Sequence, residues 1–168
     1  MKKVLINDKD LGNAALEGAD AFLTLVVSRI REAIGGEPTA DEMEELSADQ
    51  QTLLAWDTMH EEVMDGGFVQ LIYNGYGPYI FKNPFAKALN KLWHMRELSK
   101  LVYEAHTLYA KYGKDIEKEL TDDAFMALYE QMPEFDDLDD QFVLNEERYV
   151  NDVAQYVDEN LEKFITIV

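Results

Sequence analysis

Several residue sets in this 168-residue chain are of types that could do chemistry, and their spacing decides which of them can. Asp57 and His60 stand three apart, like half of a di-iron carboxylate site, where an acid and an imidazole share one helix face. Such a site needs a second acid–histidine pair, but Lys91 precedes His94 and Tyr103 precedes His106. His94 and His106 also sit about 120° apart around a helix, so they do not converge. The acidic run EFDDLDDQFVLNEE fails as a calcium loop. With Asp137 first and Asp139 third, Phe142 takes the place of the glycine and Arg148 that of the bidentate glutamate. Ser28, Ser47 and Ser99 lie in no GxSxG elbow. The absence of cysteine excludes thiolate ligands, disulfides and a thiol nucleophile. Gly66, Gly67, Gly75 and Gly77 have neither GxxxxGK nor GxGxxG spacing, and no lysine follows before Lys82, so they do not form a phosphate loop. No metal and no cofactor are expected. The tyrosines Tyr73, Tyr76 and Tyr79 with His60 remain as the polar set that a small-molecule enzyme or binding protein would use.

The carboxylates are more informative. Stepping about 100° per residue from Asp140, the acids Asp136, Glu147, Asp158 and Glu162 fall within about 40° of one line. Leu138, Phe142, Tyr149, Val153, Tyr156 and Phe164 gather on the other side. The acidic stripe therefore faces water. Its i, i+4 members are about 6 Å apart along the axis, a separation comparable with adjacent phosphates on a nucleic-acid strand. Two acids break the pattern, since Asp139 and Glu146 fall in the apolar sector, where an unpaired carboxylate is costly. Each is expected to be paired or to cap a helix. Asp139 is assigned to the free amides around Gly66, Gly67 and Phe68, equally with a simple place in the first turn of its own helix.

The elements that must position these residues are helices, because apolar residues recur at helical period and no convincing sheet is visible. A first helix is expected over about Leu11–Ile34, with Leu16, Leu23, Val27 and Ile30 inward, stopping at Gly35-Gly36. Ser47 and Gln50 read as a capping box for a second helix that ends at Gly66-Gly67. FVQLIYN is a short helix stopped by Asn74-Gly75, and Asn83-Pro84 starts a long one reaching Gly113. Thr121 starts another, closed by Pro133, and the last runs from about Asp136 to Ile165. The expectation is an all-α single domain over residues 1–168, a bundle of about six helices with a long C-terminal one.

Composition sets the class of partner. The chain carries 34 acids against 15 bases, a net charge of −19, spread as −10 over residues 1–78, +5 over 79–114 and −14 over 115–168. Such a surface repels nucleic acid and anionic membranes and attracts basic proteins. Within the basic segment, Lys82, Lys87, Lys91, Arg96 and Lys100 could neutralise acids of the same fold or of a dimer mate. The N-terminal MKKVLINDKDLG meets Asn7, Asp8 and Asp10 before any long apolar run, so it does not read as a signal peptide. No stretch approaches the roughly 18 apolar residues of a membrane span. A cytoplasmic location is expected.

Asp65-Gly66-Gly67-Phe68, Gln70, Asn74 and Gly77, then Ala88-Leu89, and finally Leu138-Asp139-x-x-Phe142 resemble a family of small acidic bacterial proteins. That family is mostly of unassigned function and includes a DNA-mimic protein. The likeness covers residues 47–164, with 1–46 as an N-terminal helix and acidic connector. It departs at Asp65, where the family more often has Asn, and at Trp93-His94-Met95, where it tends to a small Gly-Ala pair. The resemblance implies an all-helical fold, a tendency to dimerise, no catalysis, and acidic surfaces that occupy the DNA-binding face of a transcription regulator. The mimicking acids are not part of the motif, so Asp136, Asp140, Glu147, Asp158 and Glu162 rest on spacing alone. Two other roles stand beside DNA mimicry: an immunity-type protein neutralising a basic toxin, and the small-molecule reading above.

Overall fold

A computed structural model describes residues 1–168. The protein is all-α apart from one pair of two-residue strands. The order is β1 (Leu5–Ile6), α1 (Asp8–Glu17), α2 (Ala19–Ala33), α3 (Ala40–Glu45), α4 (Ala48–Tyr73), α5 (Gly77–Phe81) and α6 (Phe85–Lys91). Then follow α7 (Arg96–Ile116), α8 (Asp122–Gln131), α9 (Glu134–Glu159), a 3₁₀ turn (Leu161–Lys163) and β2 (Thr166–Ile167). No helix is long and apolar enough to cross a membrane. The residues group into two compact units, Met1–Leu54 with Glu147–Val168, and Ala55–Glu146.

In the first unit, Phe22, Leu23, Val26, Val27 and Ile30 of α2 are buried, as are Tyr149, Val150, Val153 and Val157 of α9. Buried Gln50 ties its ends together. Its Nε2 donates to the carbonyls of Lys2 (3.0 Å) and Phe164 (2.8 Å), while its Oε1 accepts from the Ser47 amide at 3.0 Å. The Ser47 hydroxyl accepts from the Gln50 amide at 3.1 Å, completing the capping box read from the sequence. β1 and β2 pair in parallel, Leu5 opposite Thr166 and Ile6 opposite Ile167. Strands of two residues are too short to show an alternating pattern, which is why no sheet was expected.

The expected helix over Leu11–Ile34 is two helices. Gly18 (φ 124°, ψ 176°) breaks it in a conformation suited to glycine, and the break resets the helical phase, leaving Leu16 89% exposed rather than inward. In the second unit, the expected helix from Asn83 to Gly113 is likewise broken, at Trp93-His94-Met95, where buried Trp93 packs inward and His94 takes φ 57°. Asn83 still marks its start, with Oδ1 accepting from the Phe85 amide at 2.9 Å. Thr121 caps α8 through the Ala124 amide (3.2 Å). α9 begins two residues earlier than expected and stops at Glu159, six short of Ile165. These breaks, with the short α3 and α5, make nine α-helical segments where about six were expected.

Candidate interaction surface and the kink beneath it

The site begins with the motif around Gly66 and Gly67. α4 runs through these glycines with a kink, Gly66 at φ −152°, ψ 15° and Gly67 at φ 78°, ψ −177°. The second conformation is essentially reserved for glycine. Space demands the same residues. A Cβ on Gly66 would overlap the Gln70 amide, and one on Gly67 would overlap the Asp139 carboxylate.

A kink frees backbone groups that need partners. The Phe68 amide donates to Asp139 Oδ1 at 2.9 Å, and the Gly66 carbonyl accepts from the Tyr129 hydroxyl at 2.8 Å. Burial pushes the Asp139 carboxyl up to about 7, the Phe68 amide opposing it and the charges of Asp136 and Asp140 adding to it. Burial likewise raises Tyr129, with the nearby Asp139 and Asp65 charges contributing. Gln70 Nε2 donates to Asp65 Oδ2 (2.7 Å) and Glu62 Oε2 (3.2 Å), and Asn74 Nδ2 donates to the same Glu62 oxygen at 2.9 Å. The residues Asp65, Gly66, Gly67, Phe68, Gln70, Asn74 and Asp139 thus meet at one clamp. Tyr129 and Glu62, which share in it, carry no local sequence signal: each lies on another turn or helix and is recruited by the fold.

The other off-pattern acid is also paired. Glu146 Oε1 lies 2.7 Å from His60 Nε2, and the His60 ring stacks on Trp56 at 5.2 Å between centroids. His60 therefore has a carboxylate and an indole for company. Tyr73 packs its ring on Phe125 at 4.4 Å. His60 and Tyr73, two of the residues first set apart for chemistry, are engaged here in packing.

The acids of the stripe are disposed differently. Asp136, Asp140, Glu147 and Asp158 lie on α9 and are exposed. Glu162 is exposed as well but lies in the 3₁₀ turn after α9 ends, so the helical phase does not carry to it. Leu138, Phe142, Tyr149, Val153 and Phe164 are buried, while Tyr156 is half-buried with its hydroxyl donating to Asp49 Oδ1 at 3.0 Å.

The model of a family of DMP19-like proteins matches residues 44–160. A relative from Neisseria meningitidis serogroup B (strain ATCC BAA-335 / MC58), named DNA mimic protein DMP19, is 38% identical over 123 residues, covering 73% of this chain and 74% of the relative.

Proposed function

The chain belongs to the DMP19-like family, and from that premise we propose that it is a DNA mimic: an acidic protein that occupies the DNA-binding surface of a basic protein such as a transcription regulator. The observation that carries this reading is the outward row Asp136, Asp140, Glu147 and Asp158 on one continuous helix. DNA-binding surfaces owe much of their affinity to Lys and Arg facing phosphates, and a row of fixed carboxylates presents the same charge to them. The relative's name supports the same role. Binding rather than catalysis is the activity, and the partner is held by charge, in the cytoplasm.

The test captures basic proteins from source lysate on the immobilised chain at low salt. A DNA mimic releases its partner when salt is raised and when duplex DNA is added, because DNA and the chain compete for one surface. A captured partner indifferent to DNA would overturn the reading and favour the toxin-neutralising one. A variant with Asp136, Asp140 and Asp158 changed to Asn and Glu147 to Gln is expected to remain helical by circular dichroism and to capture nothing.

A further inference from the structure

The break between α1 and α2 leaves a space that no side chain fills. Ala15, Gly18 and Ala19 stand at that junction, and a Cβ on Gly18 would meet nothing within 4 Å. From α9 comes Ala154, another small residue. The result is an open cleft of about 310 Å³ within the first unit. Phe22 and Ala154 of its lining are buried, while Gln155 and Asp158 are exposed, and no lysine, arginine or histidine lines it.

Both stretches of chain that form the cleft are free of cations. Residues 10–28 contain three acids and no base, and residues 149–162 four acids and no base. Ion pairs of this unit join Lys2 to Glu45, Arg29 to Glu32 and Arg31 to Glu37, none of them to Asp158. Gln155 is turned to Glu159, its Nε2 donating to Oε1 at 2.8 Å, so Asp158 is the charged group of the cleft. Ala154 and Asp158 are one turn apart, about 6 Å along the axis. Apolar surface with a carboxylate one turn on is complementary to a side chain with an apolar stem and a cationic head. Arginine suits it better than lysine. A guanidinium is more weakly hydrated than an ammonium, so it gives up less on meeting apolar surface, and it grips a carboxylate with two hydrogen bonds. A second copy of this chain, at a net charge of −19, would be repelled from the same place.

We propose that this cleft is a socket for one arginine of the basic partner, its stem packed on Phe22 and Ala154 and its guanidinium paired with Asp158. The inference rests on the reading of the chain as a binder of basic proteins. It gives Asp158 a role beyond that of one charge in a row, since the cleft beside it selects the kind of side chain as well as its sign.

The experiment titrates the full chain at low salt with acetyl-Gly-Arg-Gly-amide, followed by amide NMR shifts. Saturable shifts are expected at Ala15, Ala19 and Ala154, and not at Asp136 or Asp140. The lysine analogue should bind less tightly. The norleucine analogue, which lacks the cationic head, and guanidinium chloride, which lacks the stem, should each bind far more weakly. Asp158→Asn should raise the dissociation constant of the arginine peptide about fivefold. Ala15→Leu, which adds bulk to the lining and leaves Asp158 in place, should raise it at least as much. Both positions are exposed, so both variants should remain helical by circular dichroism. Shifts spread along all the acids, an analogue or guanidinium binding as well as the arginine peptide, or affinity unchanged in either variant would overturn the socket. Mimicry fails separately, because it is read from competition with duplex DNA. A partner displaced by DNA, with no peptide bound at the cleft, would sink the socket alone.

Discussion

Asp139 and Asp140 stand side by side on α9, yet the first lies against the kink of α4 with Oδ1 on the Phe68 amide, and the second points to water. Burial raises the Asp139 carboxyl to about 7, whereas Asp140 contributes to that rise as one of the charges outside. Glu146 and Glu147 repeat the contrast: Glu146 meets His60 at 2.7 Å, and Glu147 is exposed. One helix thus carries two kinds of carboxylate. The inward ones hold the fold, where a lost partner is costly because water cannot replace it. The outward ones cost the fold little and are available to a partner.

The strongest way to break the inward side is at the glycine. Gly67→Ala puts a Cβ into the Asp139 carboxylate and into a backbone region only glycine uses. A loss of about 3–5 kcal/mol, from strain together with displacement of the clamp, is expected in urea or thermal unfolding. Next in size, Asp139→Ala strands the Phe68 amide and should cost about 1–3 kcal/mol, most clearly at pH 5. Asp140→Ala in the same assay should stay within about 0.5 kcal/mol. Equal effects of the two alanines would erase the distinction between the faces.

The pH dependence sharpens the contrast. The folded Asp139 carboxyl, at about 7, lies above its ordinary 3.8, so the folded state holds this proton more tightly than the unfolded one. Its contribution to stability is full below about pH 4 and is lost as pH rises toward and through 7. Asp139→Asn keeps an oxygen for the Phe68 amide and removes the titration. Its stability measured against wild type should therefore improve steadily from pH 4 to pH 8, whereas Asp140→Asn should track wild type across that range. The smallest effect on stability belongs to the combined Asp136, Asp140, Glu147 and Asp158 amide variant. Its melting temperature should be unchanged or slightly raised by relief of like-charge repulsion, while its salt-sensitive capture of a basic protein disappears.

Much of this was legible before any coordinates. The Ser47–Gln50 box, the Thr121 cap and the stop at Asn74-Gly75 follow from short-range rules in which a side chain meets the backbone a few residues away. The apolar side of α9 followed from its period. Breaks at Gly18 and at His94 were not legible: a single glycine is tolerated inside many helices, and nothing local compels His94 into a left-handed turn. Of the candidate surface, the exposure of the stripe was readable from phase as far as α9 extends, and was lost at Glu162 because phase means nothing once the helix stops.

By itself the sequence determined an all-helical chain with a strongly acidic last helix, its family, and two acids that needed partners. Tertiary structure decided between the two places the sequence left open to Asp139, seating it on the Phe68 amide, and it alone supplied His60 for Glu146 and Tyr129 of α8 for the clamp. The physical reason is range. Capping and periodicity act within a few residues, so they can be read along the chain. The pairing of a buried carboxylate with an amide 71 residues away is settled only when the core closes and water is no longer there to serve either one.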